Sequence, residues 1–219
     1  MTVSTHLPVW WRDLPARLGA DLALHGPASG SRAARAPQLS YGRHDGPALP
    51  DARRAAVAVL LYWHEGDWWL PLTVRHAQLR RHGGQVSFPG GHLERNETQQ
   101  EAACREVQEE IGYAGAIQWI GELAPLWVYA SHVRVTPCVG VVATQPVARL
   151  QESEVAAAMS LSLGQLLNGP WDSIEVRREQ WSFRAPCLHV DGEPVWGATA
   201  VLLGEIEGRL RRILAGQPA

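Results

Sequence analysis

Apolar positions crowd together over residues 55–63 and 68–75, with the polar stretch His64-Glu65-Gly66-Asp67 between them. That pattern predicts a β-hairpin turned at Gly66. Similar runs predict strands over 117–124, 132–142 and 174–183, while helical spacing marks 10–24, 154–167 and 195–215. Residues 99–111 form the best-defined element. Thr98-Gln99-Gln100-Glu101 is a capping box, Ala102, Ala103, Val107 and Ile111 supply one apolar side, and Gly112 suits a left-handed stop. The Gly-, Pro-, Ser- and Ala-rich stretch 26–50 reads as a loop. One organised domain is expected over residues 53–219, with a helix-and-loop extension over 1–52. Strands and helices in this order imply an α/β fold, an α/β/α sandwich.

The helix 99–111 also carries Glu106, Glu109 and Glu110. At roughly 100° per residue, positions i, i+3 and i+4 lie within about 100° of arc, so the three carboxylates should face one small volume. A solvated acidic face is the ordinary explanation for three Glu alone. Phe88-Pro89-Gly90-Gly91 lies just upstream, however, where paired glycines permit a sharp bend and a close approach to a ligand. A loop carbonyl there could join the carboxylates around a cation.

The run from Gly91 to Tyr113 resembles the signature of the Nudix hydrolases without a gap: Gly91, Glu97, Arg105, Glu106, Val107, Glu109, Glu110, Gly112 and Tyr113. Only Tyr113 departs, replacing the usual aliphatic residue. A further motif, Leu72-Thr73-Val74-Arg75, Arg80, Gly84 and Phe88-Pro89-Gly90-Gly91, is similar to that of the coenzyme A pyrophosphatase branch. Pro71 and His76 deviate from it. Val135-Thr136-Pro137 and Trp196-Gly197-Ala198-Thr199-Ala200 look like the same branch. The resemblance spans about 53–205 and implies a Nudix-type sandwich with a mixed β-sheet.

It also implies chemistry. A diphosphate repels incoming hydroxide, so a divalent ion must neutralise charge and activate water. Oxygen donors favour Mg²⁺ or Mn²⁺. The expected ligands are Glu106, Glu109 and Glu110, with the Gly91 carbonyl carried over from the family. Projection of the helix places Glu97 opposite Glu106, which suits a supporting role, and Arg105 is expected to pair with an acidic neighbour and hold the loop to the helix. Glu97, Arg105, Glu106 and Glu109 form the expected catalytic group. The general base stays open among Glu106, Glu109, Glu152 and Glu154. Arg75, Arg80, Arg81 and His82 are candidates for substrate phosphate, with a solvated basic loop as the alternative. His76, His92 and His132 match no zinc spacing.

Composition narrows the partners. The formal charge of −2 and the lack of basic runs exclude a nucleic-acid arm. All 20 basic positions are Arg, which excludes a Lys Schiff base and the Lys-containing phosphate loop. No run of about 18 apolar residues and no signal peptide is apparent, so a cytoplasmic location is expected. The 3 cysteines, Cys104, Cys138 and Cys187, lack CxxC spacing and read as core thiols. Trp10 and Trp11 read as core or homodimer packing rather than membrane attachment. The implied substrate is a small nucleotide like coenzyme A, cleaved to 3′,5′-ADP and 4′-phosphopantetheine or its acyl form. The alternatives are an ADP-ribose or other dinucleotide pyrophosphatase, or a nucleotide-sensing module that does not cleave.

Overall fold

The computed structural model describes residues 8–38, 48–78, 82–146, 149–178 and 181–216. After a 3₁₀ turn at Val9–Asp13 come helices α1 (Leu14–Leu24) and α2 (Ser29–Arg35). Strands β1 (Arg53–His64), β2 (Asp67–Arg75), β3 (Val86–Ser87) and β4 (Gly90–His92) lead to helix α3 (Gln99–Ile111). Strands β5 (Gln118–Glu122), β6 (Leu126–Val128), β7 (Val133–Val141) and β8 (Val155–Ser162) precede helix α4 (Leu163–Asn168). Strands β9 (Trp171–Arg178), β10 (Trp181–Val190) and β11 (Glu193–Trp196) precede the closing helix α5 (Ala198–Ala215).

The large sheet runs β3-β2-β1-β7-β5, with β4 beside β1, β6 beside β7 and β8 beside β2. It is mixed: β1 and β7 pair in parallel from Arg53↔Val133 to Leu61↔Val141, and β1 and β2 antiparallel. Alternation along β1 divides the core. Ala56, Ala58, Leu60 and Tyr62 pack with Ala102, Ala103, Val107 and Ile111 of α3, whereas Val59 and Leu61 join Leu14, Leu18, Leu203 and Leu210 on the opposite side. Helices therefore cover both faces, as the alternation of elements implied. Alanines at the contact let α3 approach β1 closely.

Several expectations change. Stretch 26–50 contains helix α2, because Arg32 is buried there and binds Glu205 Oε2 at 2.5 Å and the Ala124 carbonyl at 3.0 Å. Residues 154–167 are strand β8 followed by short α4, not one helix. Val155, Met159 and Leu161 are buried on one face of the strand, and β8 pairs with β2 from Trp69↔Ser162 to Arg75↔Val155. Sheet pairing thus overrides the helix propensity of the Ala-rich run. Within the stretch expected as one strand over 174–183, residues 174–178 belong to β9 and residues 181–183 to β10 of a separate β11-β10-β9 sheet. Residues 195–196 end β11, and α5 begins only at Ala198, after Gly197. Trp11 is buried, donating from Nε1 to Asp67 Oδ1 at 2.7 Å. Cys138 and Cys187 are buried, but Cys104 lies on the exposed side of α3. No helix among the described residues is long and apolar enough to cross a membrane.

A charged network ties α1 and α2 to α5. Arg209 reaches Asp21 Oδ2 at 2.7 Å and Glu205 Oε1 at 3.0 Å, and Arg212 also holds Asp21. Although burial pushes the Asp21 carboxyl upward, hydrogen bonds and charge from Arg212 and Arg209 leave it below its ordinary value. Its contribution is therefore present above the unfolded carboxylate value and fades as pH falls through the lower folded one. Glu205→Ala is expected to cost roughly 3–5 kcal/mol by taking away the carboxylate that the buried Arg32 and Arg209 share; urea unfolding showing under about 1 kcal/mol would refute that. Asp21→Asn is expected to flatten the acid limb of the stability profile, measured by thermal melting from neutral to acid pH.

Candidate active site

Helix α3 starts at Gln99. Thr98 Oγ1 accepts from the Glu101 amide at 3.3 Å, and Glu101 Oε2 accepts from the Thr98 amide at 2.8 Å. It stops at Gly112, whose φ of 72° is the left-handed conformation expected of a helix end. Both boundaries match the sequence signals, which fixes the phase of the carboxylates.

Those carboxylates adopt three different settings. Glu110 is turned inward, 1% exposed, and accepts from the Gly90 amide at 3.2 Å with Arg75 Nη1 at 3.5 Å. Burial pushes its carboxyl up to about 7 against the help of Gly90 and Arg75, with Glu106 and Glu154 adding repulsion. Glu106 lies against the loop, so close that a Cβ on Gly91 would collide with its carboxylate. Burial raises Glu106 as well, despite Arg105, with Glu109 and Glu154 contributing. Glu109 is half exposed.

Arg105 joins the group. Its Nε donates to Glu97 Oε1 at 2.9 Å, Nη1 to Glu106 Oε1 at 2.9 Å and Glu109 Oε2 at 3.1 Å, and Nη2 to the His92 carbonyl at 3.0 Å. The Glu97 hydrogen bond, with further help from Glu106, raises the Arg105 pKa, while Arg105 holds Glu97 below its ordinary value. Loop and helix are thus stitched by one guanidinium. Glu97 does not sit opposite Glu106: the chain turns at Asn96, φ 66°, and brings both carboxylates onto the same side chain.

Two cavities flank the helix terminus. One, of about 280 Å³, is bounded by Arg75, His82, Phe88, Gly91, Trp196 and Thr199. The other, of about 1050 Å³, is bounded by His76, Gln108, Glu109, Arg149 and Glu152. Arg75 and His82 therefore share a wall, while Arg80 and Arg81 lie outside the described residues. His76 belongs to the larger cavity, His92 holds Arg105 through its carbonyl, and His132 stands 3.1 Å from Asp51. Gln108 and Arg149 were missed in the sequence; Gln108 follows no motif position, and the segment of Arg149 is brought to the end of α3 by amide bonds from Arg149 to the Ile111 carbonyl and from Gln151 to the Glu110 carbonyl.

Among the described residues, no three His, Cys, Asp or Glu side chains are gathered as a ready cage for a metal ion. The donor chemistry nonetheless fits a hard divalent cation. Only oxygen is offered, the Gly91 backbone passes where a side chain would not fit, and the charge of Glu154 adds to the upward push of burial on both Glu106 and Glu110.

The NUDIX domain family model matches residues 52–181. A Pectobacterium atrosepticum protein described as "Uncharacterized Nudix hydrolase NudL" is 34% identical over 157 residues, covering 70% of this chain and 81% of its own. An Escherichia coli protein of the same description is 35% identical over 140 residues, covering 63% and 72%. The crystal structure of a Nudix hydrolase from M. smegmatis, RenU, superposes with a TM-score of 0.52 at 19% identity, covering 77% of this chain and 89% of that one.

Gly91→Ala is expected to displace Glu106 and weaken Mn²⁺ binding by roughly tenfold or more, with little change in melting temperature because the side chain can swing aside. Calorimetric titration showing unaltered Mn²⁺ affinity would remove Glu106 from the ion's surroundings.

Proposed function

Because the chain belongs to the Nudix family and is a hydrolase of nucleoside-diphosphate-linked substrates, we propose that its substrate is coenzyme A or an acyl derivative. Water attacks a diphosphate phosphorus, releasing 3′,5′-ADP and 4′-phosphopantetheine or its acyl form. One observation carries this reading. Arg75, the Phe88-Pro89-Gly90-Gly91 stretch, Val135 and the Trp196–Thr199 segment are far apart in the chain, yet all contribute to one cavity. Those are the segments that resemble the coenzyme A pyrophosphatases.

A bound Mg²⁺ or Mn²⁺ supplies neutralisation of the diphosphate and activation of water. Glu106, Glu109, Glu110 and the Gly91 carbonyl are the groups that would hold it. Glu97 orients Arg105, which keeps Glu106 and Glu109 on the loop side of α3. Glu154 is assigned as proton acceptor: it comes from outside α3, and its charge reaches both Glu106 and Glu110. Arg75 balances Glu110 on one side and presents its guanidinium to the cavity on the other, where a substrate phosphate would lie. His82 stands beside it, with Nδ1 2.8 Å from Gln85 Oε1.

The test is turnover of coenzyme A, dephospho-coenzyme A, ADP-ribose and NADH with Mg²⁺ and Mn²⁺, with products weighed by mass spectrometry. Coenzyme A is expected to exceed dephospho-coenzyme A by roughly tenfold in kcat/KM, the worth of about one charge-assisted contact. Equal rates would overturn the coenzyme A reading in favour of a general dinucleotide pyrophosphatase, and saturable binding without products would make the chain a sensing module. Glu109→Gln is expected to lower kcat by about 100-fold while the melting temperature holds; wild-type turnover would take Glu109 out of the reaction.

A further inference from the structure

The two cavities beside α3 differ in kind. In the smaller, strands β1, β7 and β6 turn one apolar face inward: Ala55, Val135 and Leu126 are register partners in one row, Val133 and Val128 in the next. Phe88 and Leu202 complete that apolar wall. Its hydroxyls already have partners: Thr199 Oγ1 donates to the Val86 carbonyl at 2.8 Å, Ser131 Oγ to the Val128 carbonyl at 3.4 Å, and Ser87 Oγ lies 3.4 Å from Thr73 Oγ1. Gln85 Oε1 is taken by His82 Nδ1 at 2.8 Å. No carboxylate stands among the described residues that line it. The larger cavity is bounded instead by Gln108, Glu109, Arg149, Gln151 and Glu152.

The apolar wall begins at the glycine bend. A Cβ on Gly90 would strike Val57 Cγ1, and the Gly90 amide and Arg75 meet on the Glu110 carboxylate. A diphosphate beside Arg75 and Gly91 therefore has Val57 as its neighbour on this side. Size limits what can follow it inward. A volume of about 280 Å³ falls short of the roughly 300–1,000 Å³ that encloses a drug-sized ligand, so only part of coenzyme A can enter. The cavity of about 1050 Å³ has room for the remainder.

Coenzyme A carries a quaternary carbon with two methyl groups one methylene away from its diphosphate, in the pantoyl segment. Adenine and ribose bring ring nitrogens and hydroxyls, which would lose water in the small cavity without gaining partners there. We propose that the small cavity receives the pantoyl segment, its methyl groups against Val57, Val128 and Val135, and that the nucleotide half extends past Glu109 into the large one. This orientation rests on the coenzyme A reading and makes those valines specificity-determining, since ADP-ribose has no methyl groups to place among them.

The probes are the two product halves, 4′-phosphopantetheine and 3′,5′-ADP, each titrated calorimetrically into the full chain with Mg²⁺ present. Val128→Thr combined with Val135→Thr keeps side chains that suit a strand but sets hydroxyls against the methyl groups. The pair is expected to weaken 4′-phosphopantetheine about tenfold, the worth of burying about two methyl groups, and to leave 3′,5′-ADP within twofold. Ala198→Leu narrows the same cavity from α5 and is expected to do likewise; it replaces the threonine pair should that variant melt early. Weakening of 3′,5′-ADP instead, of both halves equally or of neither would overturn the orientation, as would a wild-type chain that binds 3′,5′-ADP but not 4′-phosphopantetheine. Coenzyme A and dephospho-coenzyme A carry the same pantoyl segment, so equal turnover of those two would overturn the substrate reading while leaving this binding result in place.

Discussion

Burying carboxylate charge against a glycine bend is the constraint around which this molecule is organised. Glu110 is almost wholly enclosed, and its oxygens are met by the Gly90 amide and by Arg75 from β2. Glu106 presses on Gly91, and Arg105 draws Glu97, Glu106, Glu109 and the His92 carbonyl together. Helix α3, the preceding loop and strand β2 are consequently held by one set of charges. Small residues make that possible. Ala56 and Ala58 on β1 face Ala102 and Ala103 on α3, so the helix can lie close enough for its last turns to reach the loop.

Local signals recovered the parts of the fold that are locally determined. The Thr98 cap, the Gly112 stop and the β1–β2 turn each depend on a few adjacent residues, and each lies where the chain chemistry placed it. The failures share a different cause. Strand β8 has alanines that favour helix, and only the open edge of β2 makes it a strand. Helix α2 is held by Arg32, whose partners Glu205 and the Ala124 carbonyl are supplied by remote segments. Neither partner is visible in a window of neighbouring residues.

The site divides along the same line. Which residues carry the chemistry could be read from the spacing on α3, since that spacing is a property of one helix. How they are oriented could not. The inward turn of Glu110, the exposure of Glu109 and the sharing of Arg105 depend on loop conformation and on β2. Glu97 shows this well: extending the helix backwards ignores the bend at Asn96, which swings its carboxylate across to the Arg105 guanidinium.

Two charged clusters in one chain show what distinguishes a structural network from a working one. Where α5 meets α1 and α2, Asp21, Glu205 and Glu207 are met by Arg32, Arg35, Arg209, Arg211 and Arg212, so cations outnumber acids and the Asp21 carboxyl is held low. Around α3, Glu97, Glu106, Glu109 and Glu110 share Arg105 and Arg75, and Glu154 adds further negative charge. There acids outnumber cations, and the buried carboxyls rise. A protein that can build the first cluster has the means to neutralise the second. Leaving charge uncompensated next to a bend with room for no side chain is costly for folding, and its physical use is to attract positive charge from outside the chain.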